Sequence, residues 1–360
     1  MNTPRPKRIL VAPLDWGLGH TTRSVPLIRH LLSLGHTPVF AGNRWQCSWI
    51  AQCFPSIPTL PLEGYDVRYP ATSAALLPYL LWQSPRLLQA VKNEHRWLLQ
   101  AVKTHALDAV ISDNRYGLHH PHLPSVIITH QLQPQVPFFS SFVRRLHYGW
   151  LSRFQACWVP DVATAENLAG ELSHPVQAPS HTQYLGWLSH LYPCEEVRAK
   201  HNQLLVLLSG LEPFRSQLSS LLWQQLAGYE GNIVFVEGNS KVRRSHIPSN
   251  IQWFPTLSSV ELLPFMQEAT YVLCRSGYSS LMDLIALRKQ AILIPTPGQT
   301  EQEYLARYVA TRGVFISFPQ RNFKFNEAYK AALTFPYKSL FAEEKFNRHK
   351  EVLNEWLLSF

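Results

Sequence analysis

A chain of 360 residues is long enough for two domains with separate cores, and 46% hydrophobic against 16% charged residues excludes a disordered chain. The net charge is +9, and residues 1–190, with 15 Lys/Arg against 9 Asp/Glu, hold most of the excess, which suits a nucleotide diphosphate or an acidic membrane surface. No dense Lys/Arg stripe or nucleic-acid motif occurs, so nucleic acid is not an expected partner.

The opening "MNTPRPKRILVAPLDW" has basic residues and an apolar run, but Asp15 ends that run too soon for a signal peptide. "RILVAPL" lacks polar alternation, as expected of a strand buried on both faces of a parallel sheet. A helix is expected next, running to Leu34 and capped by Gly35. "TPVFAG" (37–42) reads as a strand and 45–53 as a helix. "ALDAVISD" (106–113), "SVIITHQ" (125–131) and "ACWVPD" (156–161) are further strand candidates. A long helical stretch precedes them and carries the echo "LLQAV" at 87–91 and 98–102, three helical turns apart and so on one packing face. "FFSSFVRRLHYGWLSRF" (138–154) sets Phe139, Phe142, Val143, Leu146, Trp150 and Phe154 at helical spacing beside Arg144, Arg145 and Arg153. That pattern fits a core-facing helix or one lying in a membrane interface.

A polar break, "WLSHLYPCEEVRAKHN" (187–202), separates this half from a second series of strand candidates. These are "LLVLLSG" (204–210), "NIVFVEG" (232–238), "IQWFP" (251–255), "YVLCRSG" (271–277), "AILIP" (291–295) and "VFISF" (314–318), with helical patterns between most of them. Two such series make an α/β protein of two doubly wound, Rossmann-like domains, with ligands expected beyond the carboxyl ends of the strands. The boundaries are 1–187, 203–340 and a C-terminal helix over 341–360. No apolar stretch approaches a membrane span, and the five cysteines (47, 53, 157, 194 and 274) have no metal-binding spacing and read as reduced thiols of a cytoplasmic protein.

The strand ends hold the candidate chemistry. "DWGLGH" places Gly17, Gly19 and His20 in one strand-to-helix turn. Such a turn either packs tightly or brings backbone N–H groups to an anion. It is not the dinucleotide fingerprint, because Thr22 stands where the third glycine would be. His20 is a general base or a structural turn residue, and Asp113 either orients an imidazole or caps a helix. His130 and Gln131 stand at another strand end, where loop-forming residues are common. In "YVLCRSGYSSLMDL", Ser276 and Gly277 lead from a strand into a helix whose first N–H groups and hydroxyls suit a diphosphate. Asp283 follows within reach of ribose hydroxyls, or simply complements the helix dipole. Glu301, Gln302 and Glu303 open another helix, as sugar-reading groups or as ordinary helix starters.

Taken together, these stretches resemble the GT-B glycosyltransferases, particularly the MurG-like, family 28-like group that makes the lipid-linked disaccharide of peptidoglycan. The matching residues are Gly17-Leu18-Gly19-His20, Cys274-Arg275-Ser276-Gly277, Asp283, and Gln302-Glu303 before Tyr304, with Ser209 and Gly210 where the family contacts phosphate. The specific motifs cover 9–35 and 251–313, the latter including Phe254. Asp15 and Trp16 replace glycines of the family's first loop, Leu211-Glu212-Pro213 replaces a glycine-containing loop, Asp283 stands for glutamate and Glu303 for glutamine. These departures bear on the sugar and acceptor more than on the donor class.

The resemblance implies a GT-B fold, two domains facing across a cleft, and an inverting, metal-independent hexosyl- or N-acetylhexosaminyl-transferase of cell-envelope polysaccharide. It implies a UDP-sugar held by Gly17, Gly19, Ser209, Gly210, Phe254, Arg275, Ser276, Gly277, Tyr278, Asp283, Gln302 and Glu303. His20, backed by Asp113, would take the proton of a hydroxyl acceptor, lipid-linked in the family, at the inner membrane face. No cofactor or metal is implied, and no D-x-D pair occurs. A nucleotide-sugar hydrolase or epimerase, and a non-catalytic nucleotide-sugar-binding protein, are the alternatives on the same fold.

Overall fold

A computed structural model describes residues 5–65, 76–133, 140–192, 200, 202–210, 212–226 and 228–360. Phe139, Cys194 and Leu211, all singled out above, lie outside these residues, as do half of the 187–202 break and the side chain of Phe142. The chain forms two compact units, residues 1–190 with 343–360, and residues 191–342.

The first unit is built on a seven-stranded, wholly parallel sheet: β1 (Arg8–Pro13), β2 (Thr37–Gly42), β3 (Thr59–Pro61), β4 (Ala109–Asp113), β5 (Ser125–Ile128), β6 (Ala156–Val159) and β7 (Thr182–Tyr184). Its order is β3-β2-β1-β4-β5-β6-β7. Every residue of β4, β5 and β6 is buried, which is why these runs lack polar alternation. The edge strands β3 and β7 have three residues each, too few to show a period in sequence.

Around the sheet lie α1 (Leu18–Arg23), α2 (Val25–Ser33), α3 (Arg44–Cys53), α4 (Leu76–His105) and α5 (Ser140–Leu151). The helix expected to run unbroken to Leu34 divides at Ser24 into α1 and α2. Pro26 is the cause, since it has no N–H to continue the ladder across the junction. Gly35 ends α2 at φ +78°, the left-handed conformation expected after a helix. On α4 the two "LLQAV" copies share a face: Val91, Leu98 and Ala101 are buried, and Leu98 and Ala101 join a core with Leu10, Val39 and Val110. At the end of α5 and just beyond it, Leu151 and Phe154 enter a second core with Ile127, Cys157 and Val159, whereas Leu146 is half exposed.

The second unit has six parallel strands: β8 (Gln203–Leu207), β9 (Asn232–Val236), β10 (Ile251–Phe254), β11 (Tyr271–Cys274), β12 (Gln290–Leu293) and β13 (Ile316–Ser317), in the order β10-β9-β8-β11-β12-β13. Five helices alternate with them: α6 (Phe214–Leu226), α7 (Ser259–Glu268), α8 (Tyr278–Ala286), α9 (Thr300–Thr311) and α10 (Phe325–Thr334). Leu204, Val206, Leu218, Leu222, Phe235, Leu273, Ile292 and Phe325 form its core.

The last helix, α11 (Glu343–Leu358), packs in the first unit. Trp356 meets Trp158 edge-on, with ring centroids 5.3 Å apart, and Phe346 meets Trp187 at 5.5 Å. The Trp187 amide donates to the Lys345 carbonyl at 2.7 Å.

Both sheets follow one plan. Strand order reverses between β1 and β4 in the first unit and between β8 and β11 in the second. At such a switch point the loops diverge to opposite faces of the sheet and leave a crevice beyond the strand ends. The glycine-histidine turn and Asp113 flank the first, and Ser209-Gly210 and Ser276-Gly277 flank the second.

Candidate active site

At the first switch point, β1 and β4 run in register so that Pro13 lies beside Asp113. The Leu14 amide donates to the Asp113 carbonyl at 2.9 Å. The chain then turns through Gly17, at φ +90° and ψ 176°, a conformation open almost only to glycine. That turn starts α1 and brings His20 over the end of β4. His20 Nδ1 lies 3.0 Å from Asp113 Oδ1. Its Nε2 makes no hydrogen bond among the described residues.

One helical turn on, Arg23 closes the cluster. Its Nε and Nη2 donate as a fork to the two Asp113 oxygens, and Nη2 also lies 2.8 Å from His20 Nδ1. Its Nη1 is 3.4 Å from His130 Nδ1. Arg23, Asp113 and His130 are buried, and the His20 side chain keeps 14% of its surface exposed. Burial would raise the Asp113 carboxyl, but the Arg23 guanidinium and then His20 outweigh it and bring it down to about 2. Burial, and after it the Arg23 charge, lower the His20 ring below the ordinary histidine value against the opposing pull of Asp113. The ring is therefore neutral near pH 7, with a carboxylate behind it, as a general base requires.

Arg23 is the residue that reading the sequence missed, and His130, read there as a common loop former, joins the cluster. An arginine three positions after the histidine on a helix was a usable signal, since i and i+3 share a face. The departures in the first loop also have a physical account. Asp15 Oδ1 accepts from the Tyr65 amide at 3.3 Å, and Tyr65 Oη donates to Glu94 at 2.8 Å. Glu94 in turn holds the fully buried Arg115 at 2.7 Å, and Arg115 Nε donates to the Pro13 carbonyl at 2.9 Å. Asp15 thus ties the first loop to the 62–65 segment.

The second switch point has two helix N-termini, and they differ. At α6, Glu212 accepts from the Ser216 amide at 3.2 Å and from the Ser216 hydroxyl at 2.5 Å, so a carboxylate already occupies that end. It disfavours a second anion there by charge. Ser209 and Gly210, both exposed, precede it. At α8 the N-cap is Gly277, which brings no side chain to the helix end. Its φ of −69° and the nearest neighbour to an added Cβ, Ser280 Oγ at 3.8 Å, show that the fold itself does not demand glycine there. Tyr278 is buried, and Asp283 is half-buried on the second turn of α8.

The other residues expected to hold the donor brace the loops of this second switch point. Arg275 is buried, and its Nη1 and Nη2 donate to the carbonyls of Ile294, Pro295 and Phe214. Burial lowers it to about 10, still charged at neutral pH. The Ser276 hydroxyl donates to the Gln302 carbonyl at 2.8 Å, so that side chain is also committed internally. Gln302 Oε1 accepts from the Thr296 amide at 2.9 Å, and Glu303 Oε1 from the Gly298 amide at 2.8 Å. The pair staples the Pro/Gly loop after β12 to the start of α9. Phe254 ends β10 and packs against Phe265, centroids 5.2 Å apart. At the end of β9, buried Glu237 accepts from Ser219, Arg244 and Trp253 and pairs with Arg215. This cluster too was not foreseen. Among the described residues no group of three or more His, Cys, Asp or Glu could hold a metal ion, and no helix is long and apolar enough to cross a membrane.

Comparison with known proteins bears on the family and the fold. Residues 232–352 match the glycosyltransferase family 28 C-terminal domain. The chain is 24% identical over 282 residues, 75% of its length and 73% of the relative's, to the UDP-N-acetylglucosamine--N-acetylmuramyl-(pentapeptide) pyrophosphoryl-undecaprenol N-acetylglucosamine transferase of Synechococcus sp. strain JA-2-3B'a(2-13). Among solved structures, MurG of Acinetobacter baumannii aligns over 99% of this chain and 100% of that one, at a TM-score of 0.59 and 15% identity. The glycosyltransferase SnogD of Streptomyces nogalater aligns over 99% and 100%, at 0.64 and 12%. The chain has the GT-B fold, carries a glycosyltransferase family 28 C-terminal domain over residues 232–352, and is similar to MurG-like glycosyltransferases.

Proposed function

We propose that the protein transfers a sugar from a nucleotide diphosphate, UDP in the first instance, to the hydroxyl of a lipid-linked acceptor, with inversion. The observation that carries the reading is the His20–Asp113 pair, with Nδ1 engaged and Nε2 left for a substrate. His20 Nε2 takes the acceptor proton, and the acceptor oxygen bonds to the anomeric carbon from the face opposite the leaving group. The anomeric carbon–oxygen bond breaks with its electron pair on the diphosphate. The first turn of α8 favours that departing charge through its N–H groups and dipole. Gly277 admits the diphosphate close to the backbone, Ser209, Gly210 and Tyr278 line it, and Asp283 accepts from the ribose hydroxyls. Arg275, Ser276, Gln302 and Glu303 serve the same site by fixing its loops. In this reading the helix end and the surrounding N–H groups stabilise the diphosphate without a metal ion.

The donor and acceptor classes follow the Synechococcus relative, whose name specifies UDP-N-acetylglucosamine and an undecaprenol-linked acceptor. Such an acceptor brings the protein to the inner membrane face. Exposed Leu146 and the basic Arg145 and Arg153 on and after α5 are the surface we assign to that contact. Absence of binding to anionic liposomes at low salt would remove the membrane part of the proposal.

The test is a thermal-shift and turnover panel of UDP-, GDP-, TDP- and CMP-sugars with wild type and His20→Ala. One donor should raise the melting temperature of both proteins, and turnover should fall about 10²-fold or more in the variant. If no nucleotide sugar shifts the melting temperature, the donor site at α8 is wrong. Equal turnover by His20→Ala would remove the base.

A further inference from the structure

The imidazole of His20 has two claimants for one nitrogen. Asp113 Oδ1, 3.0 Å from Nδ1, can only accept, and so needs a proton on Nδ1. Arg23 Nη2, 2.8 Å from the same atom, can only donate, and so needs the Nδ1 lone pair. The two demands correspond to the two neutral tautomers. With the proton on Nδ1, Nε2 carries a lone pair and is a base. With Arg23 donating to Nδ1, the proton sits on Nε2 and the ring is a donor. Arg23 meanwhile holds both Asp113 oxygens in its fork.

We infer that Arg23 is a positioning residue that governs which ring nitrogen of His20 carries the proton, by clamping Asp113 and competing with it for Nδ1. This rests on the reading of His20 as the base of the transfer. Among the described residues, three charged or titratable groups face the ring or its clamp: Arg23 from α1, Asp113 from β4 and His130 after β5. Arg23 is buried, so its positive charge is poorly screened and cannot swing into solvent. It acts in three connected ways. It keeps Asp113 ionised and ready to accept from Nδ1. It favours the neutral ring over the imidazolium at rest. After proton transfer it disfavours the imidazolium again and so promotes loss of the proton from Nε2. Changing between the donor and base forms moves one proton and no heavy atom.

Nitrogen NMR of the full chain labelled at histidine tests this without relying on turnover, with the His20 signals assigned by their loss in His20→Gln. In wild type His20 should stay neutral to a pH below the ordinary histidine value of 6.5. Arg23→Met should raise its titration midpoint by about one pH unit or more and shift the neutral ring toward the Nδ1–H tautomer that Asp113 alone selects. Arg23→Lys keeps the charge and should restore most of the lowered midpoint. A folded Arg23→Met protein with the wild-type midpoint and tautomer overturns the inference. Should that variant not fold, the wild-type titration decides, because a His20 midpoint at or above 6.5 overturns it equally. The acid limb of kcat/KM is measured alongside. An NMR midpoint that moves while the acid limb stays in place upholds the role of Arg23 and refutes His20 as the base.

Discussion

Glycine-17 and glycine-277 are both glycines at strand-to-helix turns, yet the structure gives them different reasons to be there. Gly17 at φ +90° and ψ 176° is conformational, and a side chain there carries a strain of about 1–3 kcal/mol. Gly17→Ala should therefore lower the melting temperature and displace His20, with turnover falling together with stability in a thermal melt and initial-rate assay. Gly277 has an ordinary φ and room for a Cβ. Gly277→Ala should leave the melting temperature within about 2 °C of wild type while weakening donor affinity about 10-fold or more, as calorimetry would record. Unchanged affinity would move the diphosphate away from α8. At this scale the sequence was legible where a residue type has few conformational uses, as in the strand-to-helix turn at Gly17. It was illegible where a polar side chain bonds the backbone at a distance: the carbonyls and the amide that Arg275 and Gln302 engage lie 6 to 61 positions away.

At the scale of elements, the strand runs were readable because β4, β5, β6 and β11 are buried throughout and so are apolar throughout. The junction between α1 and α2 and the three-residue edge strands were not, because one proline or three residues make a weak pattern. The docking of α11 on α2 adds a property no periodicity showed. His349 is buried on α11, its ring 6.2 Å from that of His30, and burial together with the His30 charge lowers it to about 3. A histidine held neutral in the fold but able to protonate when unfolded supports stability above its unfolded value of about 6.5. That support declines as pH falls from there toward the folded value. His119 and His147, each lowered to about 4 mainly by burial, act in the same direction. Melting temperature should therefore drop between pH 7 and pH 4.5, and hydrogen exchange in α11 should quicken over the same range. His349→Phe should flatten the dependence, and an equally steep fall in that variant would acquit His349.

The whole molecule is two sheets of the same order, and the chain returns to the first unit to finish it. Phe346, Val352, Leu353, Trp356 and Leu357 are buried on α11, and each is worth roughly 1.5–3 kcal/mol as an upper bound. Their sum, on the order of 10 kcal/mol, is comparable to the stability of an entire domain. A chain ending at residue 342 should leave the first unit unfolded or molten, with loss of near-ultraviolet dichroism from Trp158 and Trp187. The second unit should keep its own melting transition. A single undisturbed transition for each unit would show that α11 is dispensable.

The sequence by itself determined the alternation of buried strands and helices, the doubly wound class, and the positions at strand ends where a glycine and a histidine could do chemistry. These are local properties, written in runs of a few residues and in the backbone freedom of single ones. Only the tertiary structure decided which polar groups meet. Arg23 and Asp113 are 90 positions apart and become a clamp because β1 and β4 pair in one register, with Pro13 beside Asp113. The same pairing gives His20 its carboxylate and its competitor. Side-chain partnership across a sheet depends on strand order and register, and those are set by the burial of the whole apolar surface rather than by any one segment.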